Sequence, residues 1–202
     1  LAMAREGATI VIADIDDSTF EDIQKDLNEF GGKCVYNYLD VRDYDSMSNL
    51  VESVVSKFGK IDILVNNAGV SAGKSLLDLS REEVLRVFET NLIGPFFLTQ
   101  AVVGVMIEKK ITGNILFTSS THSQVTMLRP AYSSSKAAIE MFVKDAALEL
   151  AEYGIRVNAV APGAIDIWNM EDRSSEHVPT GYLGTPADIG NAMVFLASEK
   201  SG

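Results

Sequence analysis

Residues 114–120 read NILFTSS, residues 131–153 read AYSSSKAAIEMFVKDAALELAEY, and residues 155–163 read IRVNAVAPG. The first and third stretches are short apolar runs, which are typical of buried strands. The middle stretch repeats apolar residues at the spacing of a helix. A strand, a helix and a second strand in this order predict a crossover unit with two parallel strands.

The central helix carries two residues that could do chemistry together. Tyr132 and Lys136 are four residues apart, so they share one helix face at about 40° from each other. A lysine cation beside a phenol favours the phenolate, which makes the tyrosine usable as an acid or a base near neutrality. Ser120, at the end of the preceding strand, could hold the substrate oxygen. These parts suit the interconversion of an alcohol and a carbonyl.

The pair on its own is weak evidence. On an isolated helix, a tyrosine four residues before a lysine is most often a surface residue beside a solvated cation. The strand and hydroxyls before this helix, and the strand and Pro162-Gly163 after it, favour the catalytic interpretation.

The same alternation continues along the rest of the chain. Strands are predicted over 8–13, 34–39, 61–65, 114–120 and 155–160, with helices between them. Thr185-Pro186-Ala187-Asp188 predicts the start of the last helix, with Thr185 as its N-cap. The pattern predicts an α/β fold: a doubly wound, Rossmann-like parallel sheet in three α/β/α layers. With 202 residues and 47% hydrophobic content, we expect one domain over 1–202.

Polar or turn-forming residues follow each predicted strand. In doubly wound sheets, ligands bind beyond the carboxyl ends of the strands. Each of these segments alone could be a cap, a turn or a loop, but together they predict a site at one sheet edge. They are Asp14, Asp40-Val41, Asn67-Ala68-Gly69, Ser120 and Pro162-Gly163.

In this order the motifs resemble the short-chain dehydrogenase/reductase family of the Tyr-xxx-Lys type. The resemblance implies an oxidoreductase that acts on CH–OH groups. It implies Tyr132 as the acid/base, Ser120 as the residue that orients the substrate oxygen, and Lys136 as the ligand of the nicotinamide ribose. It also implies that Asn91 supports the lysine through a water. Ser119 is the competing serine; Ser120 matches the family's alignment better.

The resemblance also implies where a dinucleotide would bind. Asp14, at the end of the second family strand, would hold the adenosine ribose and repel a 2′-phosphate. The run after it, Ile15-Asp16-Asp17, contains no arginine, so we expect NAD in preference to NADP. The expected cofactor-binding residues are Asp14, Ile15, Asp40, Val41, Asn67, Ala68, Gly69, Tyr132, Lys136, Pro162, Gly163 and Ile165.

Composition narrows the partners. The net charge is −11 and no basic run occurs, so we expect neither nucleic acid nor an anionic membrane surface as a partner. Cys34 is the single cysteine and the two histidines lack ligand spacing, so no metal site is expected. A reduced, cytoplasmic setting fits this cysteine usage. The apolar run 92–107 is too short to span a bilayer comfortably.

The substrate is the least determined feature. His122 and Trp168 follow strand ends on the catalytic edge, and polar residues near the mouth favour a small hydroxylated substrate. A solvated loop histidine is the competing interpretation of His122, and loop packing that of Trp168. We expect a small-molecule alcohol or carbonyl, such as a sugar or polyol. A 3-oxoacyl thioester reductase and a truncated, non-catalytic scaffold remain as alternatives.

Two further expectations concern the ends and the assembly. The sequence begins after the family's first strand and Gly-rich turn, and it stops before the family's final strand. In the family's sheet, the first strand would lie between the strands at Ile10 and Ile63. Either residues beyond the two ends supply these parts, or the molecule is a fragment; we favour the first. The helices over 91–109 and 132–153 are apolar over wide faces, and relatives pair them in dimers or tetramers, so we expect a homo-oligomer.

Overall fold

In the computed structural model, residues 1–167, 175 and 178–201 are described, and there helices and strands alternate. Five strands carry the architecture: β1 (Thr9–Asp14), β2 (Lys33–Tyr38), β3 (Ile63–Asn66), β4 (Asn114–Thr118) and β5 (Arg156–Val160). The α-helices are α1 (Ala2–Arg5), α2 (Phe20–Asn28), α3 (Tyr44–Phe58), α4 (Arg81–Phe88), α5 (Gly94–Glu108), α6 (Pro130–Leu150) and α7 (Pro186–Ala197). The predicted order of elements is confirmed, with boundaries shifted by a few residues.

Every strand pairing is parallel. β1 pairs with β2, starting at Thr9 opposite Lys33, and β4 lies between β3 and β5. Within the described residues no ladder joins β1 to β3. Because parallel strands end at the same edge of their sheet, the residues after β1 and β2 lie at one edge of the first sheet, and those after β3, β4 and β5 lie at one edge of the second.

The two faces of β4 show the layering. Ile115 and Phe117 point into the main core with α5 and α6. The amide of Asn114 instead donates to the carbonyl of Leu196 in α7 at 2.9 Å, and alternate residues of a strand face opposite sides. The sheet is therefore covered on both faces, as predicted for a three-layer α/β/α fold.

The hydrophobic core lies mainly under α3, α5 and α6. Met106, Ile115 and Ile139 are almost fully buried within it, and burial of each such side chain stabilises the fold by roughly 1.5–3 kcal/mol. On the other face, Arg156 donates to the carbonyls of Leu196 and Ser198 at 2.8 and 3.1 Å. These bonds fix the end of α7 against β5.

Local sequence signals set the helix ends. The hydroxyl of Thr185 accepts from Asp188 N, while the Asp188 carboxylate accepts from Thr185 N, so the predicted cap of α7 is confirmed as a capping box. Ser80 and Glu83 form the same arrangement at the start of α4. α3 ends at Gly59, whose φ of 78° lies in the left-handed region that glycine adopts without cost.

The long helical run over 81–108 is not α-helical throughout. Residues Glu89–Ile93 form one π-helical turn between α4 and α5, just before Gly94-Pro95. A Cβ at Gly94 would lie 2.0 Å from the carbonyl oxygen of Val41. Only glycine allows this approach, which links the segment after β2 to the start of α5.

By length and composition, Arg81–Glu108 is also apolar enough to cross a membrane. Leu98, Val102 and Met106 of this run are buried in the core of the protein. An apolar core helix passes the same test of length and composition.

Candidate active site

The end of β4 places two serines at the carboxyl edge of the sheet. Ser119 and Ser120 are 2% and 7% exposed. Ser119 N donates to Val160 O at 2.7 Å and Thr121 N donates to Pro162 O at 3.0 Å, so the segment continues beside the end of β5. The sequence-predicted Ser120 and Pro162 are thus brought together by backbone hydrogen bonds.

The two serine hydroxyls have different surroundings. Ser119 Oγ faces α6, where it lies 3.5 Å from Lys136 O and 3.3 Å from Glu140 Oε1. Ser120 Oγ accepts from the backbone N–H of His122 at 3.2 Å. An accepted hydrogen bond leaves the hydroxyl proton of Ser120 available for another acceptor.

α6 holds Tyr132 and Lys136 on one face, as their spacing predicts. Lys136 Nζ lies 5.7 Å from the centroid of the Tyr132 ring and donates to Thr118 O at 2.6 Å. The lysine is 4% exposed, and this burial lowers the pKa of Lys136 to about 8. The cation is still the major form at pH 7, close to a tyrosine whose ionised form it would stabilise.

Asn91 lies in the π-helical turn and is 1% exposed. Its Oδ1 accepts from Val70 N at 2.7 Å, and its Nδ2 donates to Val70 O at 3.0 Å and to Ser135 Oγ at 2.9 Å. Ser135 Oγ in turn donates to Tyr132 O at 2.7 Å. Asn91 therefore connects the loop after β3 to the turn of α6 between Tyr132 and Lys136.

The Asn67-Ala68-Gly69 turn lies beside this network. A Cβ at Gly69 would lie 3.5 Å from Lys136 Nζ and 3.6 Å from Asn91 Oδ1. Asn67 Oδ1 accepts from the Thr118 hydroxyl at 2.8 Å, which joins the ends of β3 and β4. The turn is exposed, and at Gly69 no side chain separates it from Lys136 Nζ.

At the end of β1, Asp14 has an exposed carboxylate that accepts from Asp16 N at 3.1 Å, and Ile15 is 60% exposed. After β2, Asp40 forms a two-point ion pair with Arg42, at 2.9 and 2.6 Å, which lowers the pKa of Asp40. The Val41 side chain is buried in the core. Of these residues, Asp14 and Ile15 present the most surface to a ligand.

The segment after β5 forms the opposite end of the site. Ile165 pairs with Gly184 in an isolated parallel bridge, with Gly184 N donating to Ala164 O at 3.0 Å. Among the described residues, nothing lies within 4 Å of a Cβ at Gly163. Trp168, a predicted substrate residue, lies outside the described residues.

His122 packs against the tyrosine. The two rings meet edge to face, with centroids 5.2 Å apart. The Nδ1 atom of His122 is buried and has no hydrogen-bond partner among the described residues. Burial, followed by the charge of Arg129, lowers the pKa of His122 and so favours the neutral imidazole.

The residues fit a dinucleotide. An exposed carboxylate ends β1, the exposed turn 67–69 passes beside Lys136 at Gly69, and no described residue lies within 4 Å of a Cβ at Gly163. A ribose diol, a nicotinamide ribose and a backbone-contacting amide need surfaces of these three kinds.

Comparison with known proteins agrees with this geometry. A family model described as enoyl-(acyl carrier protein) reductase matches residues 1–202. The L-rhamnose 1-dehydrogenase (NAD(P)(+)) of Azotobacter vinelandii is 36% identical over 98% of this chain and 83% of its own length. A solved short-chain type dehydrogenase/reductase from Mycobacterium marinum superposes with a TM-score of 0.93 at 30% identity, over 99% of this chain and 82% of its own. The chain belongs to the short-chain dehydrogenase/reductase family.

A second relative broadens the range of substrates within this family. The 3-oxoacyl-(acyl-carrier-protein) reductase FabG of Thermotoga maritima is 36% identical over all of this chain and 85% of its own length. The short-chain dehydrogenase/reductase assignment makes the protein an oxidoreductase that acts on CH–OH groups with an NAD(P) cofactor.

Sequence reasoning missed three participants in the site: Thr118, whose carbonyl accepts from Lys136; Ser135; and Glu140. Only Glu140 had a sequence signal. It lies four residues after Lys136, so Tyr132, Lys136 and Glu140 recur on one helix face.

Proposed function

We propose that this short-chain dehydrogenase/reductase transfers a hydride between NAD(H) and a secondary hydroxyl of a sugar or polyol, or the matching ketone. The observation that carries the proposal is the buried Lys136 beside Tyr132, with Ser120 held at the neighbouring strand end. When bound, NAD would supply the acceptor for the hydride that leaves the substrate carbon. Residues 1–202 act as one domain. In support of this, one hydrophobic cluster contains buried residues from Leu39, after β2, to Val157 in β5.

The chain's own groups handle the proton. In the oxidation direction, Tyr132 in its ionised form accepts the proton of the substrate hydroxyl, and in reduction it returns it. Ser120 Oγ donates to the reacting oxygen and fixes its position. Lys136 supplies positive charge that favours the ionised tyrosine. Asn91 is a positioning residue, because it reaches α6 through Ser135 rather than through Lys136 itself.

We propose Asp14 as the residue that selects NAD. Its exposed carboxylate would accept hydrogen bonds from a ribose diol and repel a 2′-phosphate. The three residues after Asp14 are Ile15, Asp16 and Asp17, and none of them is an arginine. Ile15, Asp40, Val41, Asn67, Ala68, Gly69, Pro162, Gly163 and Ile165 complete the proposed cofactor surface.

We propose that His122 contacts the substrate. A neutral imidazole whose buried Nδ1 has no partner among the described residues can accept or donate one hydrogen bond there, according to its tautomer. Because the ring touches Tyr132, a hydroxyl next to the reacting carbon would lie within its reach. This favours a polyhydroxylated substrate, a class that includes the sugar in the name of the A. vinelandii relative.

We propose a homo-oligomer formed through α5 and α6. These helices border a groove of ≈ 480 Å³ lined by Leu92, Ile93, Phe96, Phe97, Ala138, Met141, Phe142 and Asp145. Phe96 and Met141 are 40% and 57% exposed, which a partner copy would cover. Val102 and Met106 of α5 are buried in the core and do not line the groove. A cytoplasmic location is part of the same proposal.

A panel of substrates tests the reaction. Sugars, polyols, simple secondary alcohols and 3-oxoacyl thioesters are assayed with NAD(H) and NADP(H) by nicotinamide absorbance. We expect the highest kcat/KM with a sugar or polyol and NAD. Activity confined to acyl thioesters would favour the second candidate, a ketoreductase, which the similarity to the T. maritima reductase supports. The absence of both activity and cofactor binding would favour a non-catalytic scaffold.

A further inference from the structure

A cluster of polar side chains lies directly behind the serines, on the side of the segment 119–124 that packs on α6. The Glu140 carboxylate accepts from Ser119 Oγ at 3.3 Å, from Ser123 Oγ, and from Gln124 Nε2 at 3.4 Å. Glu140 is half-buried. Within the described part of the chain it forms no ion pair, so neutral donors alone satisfy its charge.

The segment that Glu140 contacts is the one that carries Ser120 and His122. Ser123 Oγ lies within hydrogen-bond distance of Glu140 and also 2.6 Å from Ser120 O. A hydroxyl has one proton to donate, and an ionised carboxylate is the stronger acceptor. The segment is thus tied to α6 at Ser119, Ser123 and Gln124, on both sides of Ser120.

The other end of the tie is the helix that carries the acid/base. Glu140 lies one turn after Lys136 and two turns after Tyr132 on the same face. The distance between the Ser120 hydroxyl and the Tyr132 hydroxyl depends on how the segment 119–124 sits on α6. Two groups that must contact one substrate oxygen need this distance to be held closely, since small displacements in a site cost large factors in rate.

We infer that Glu140 is a positioning residue that clamps the segment 119–124 to α6 and so fixes Ser120 against Tyr132. The inference rests on the proposed roles of Ser120 and Tyr132. Ser119, Ser123 and Gln124 all contact the Oε1 atom of Glu140, and Gln124 Nε2 also lies 3.4 Å from Oε2. The negative charge strengthens these bonds, because a carboxylate is a better acceptor than a neutral amide. Glutamine at this position would keep the size but turn an amide NH₂ group toward donors.

Two measurements on the same variants test the clamp. Glu140→Gln and Ser123→Ala are compared with Glu149→Gln, which removes an exposed carboxylate from the same helix. In the protein without substrate, amide hydrogen exchange over 119–126 should become about tenfold faster in the first two variants and stay unchanged in the third. This readout does not depend on turnover.

Steady-state kinetics on the best substrate of the panel gives the second readout. For Glu140→Gln we expect kcat to fall at least about tenfold, the equivalent of one charge-assisted hydrogen bond, with the Kd of NAD within about twofold of the wild type. In the double variant Glu140→Gln/Ser123→Ala, kcat should fall no further than in the single variant with the lower kcat, because both substitutions break the same clamp.

Several outcomes would overturn the inference: unchanged exchange over 119–126, faster exchange with a kcat within about twofold of the wild type, or additive losses in the double variant. If Glu140→Gln does not fold, Ser123→Ala decides by the same two criteria. If the wild type turns over no substrate, the proposed function fails, and the exchange measurement alone decides on the clamp.

Discussion

Lys136 Nζ donates a 2.6 Å hydrogen bond to the carbonyl oxygen of Thr118, the last residue of β4. This bond ties α6 to the strand that precedes the two serines, and it holds the ammonium group in a buried position. The position of the cation is therefore fixed by the backbone of the sheet, and its charge is supported by a neutral carbonyl rather than by a carboxylate.

The buried lysine makes stability depend on pH. The pKa of Lys136 falls from 10.5 to about 8 on folding, so the unfolded chain binds more protons between these values. Stability should therefore rise from pH 8 to pH 10.5, by up to about 3 kcal/mol at the upper limit, relative to Lys136→Met. Below pH 8 the difference between the two proteins should be constant. Urea unfolding at each pH measures the difference in the free energy of unfolding between the wild type and Lys136→Met. A difference that does not change between pH 8 and pH 10.5 would contradict the shifted pKa.

The exposed carboxylate at the end of β1 should set the choice of cofactor. Asp14→Asn removes the repulsion of a 2′-phosphate, so the ratio of kcat/KM with NAD to that with NADP should fall about tenfold. Asp17→Asn, three residues further along the same exposed segment, is the matched control and should leave the ratio within about twofold. An unchanged ratio in Asp14→Asn would place the ribose elsewhere.

His122→Phe keeps a ring against Tyr132 but removes both nitrogens. With a sugar or polyol we expect KM to rise about tenfold, because the hydrogen bond to a second hydroxyl is lost. A simple secondary alcohol has no second hydroxyl and should show a change of less than about threefold. Equal losses on both substrates would assign His122 to the packing of Tyr132 instead.

The apolar groove between α5 and α6 should be the contact between copies. Met141→Glu puts a charge into that groove and should shift the mass measured by light scattering toward the monomer. Leu77→Glu adds the same charge at a side chain that is 95% exposed outside the groove and should leave the mass unchanged. A monomeric wild type, or an oligomer that survives Met141→Glu, would contradict the interface.

The fold could be predicted because its signals are local. The cap at Thr185 is determined by the residues next to it, and the apolar runs of β4 and β5 identify buried strands. The polar contacts of the site are different, because they join residues far apart in the chain. Asn91 meets Ser135 across 44 positions, and no local pattern specifies that pairing.

The roles of individual groups within the site were equally hard to predict. Ser119 and Ser120 are identical in type and adjacent, and only their different neighbours, α6 for one and the His122 N–H for the other, distinguish them. The burial of Val41 also depends on a contact with Gly94 that lies more than fifty residues away. Such contacts depend on packing geometry, which hydrophobic periodicity does not encode.

The central claim is that Tyr132 carries the proton in the reaction. Tyr132→Phe removes one oxygen and leaves the ring against His122, so the thermal midpoint should stay within about 3 °C of the wild type. The Kd of NAD, measured by titration, should stay within about threefold. The decisive measurement is kcat on the best substrate, which should fall by about 10²–10⁴. A kcat within about tenfold of the wild type would show that another group transfers the proton and would contradict the mechanism.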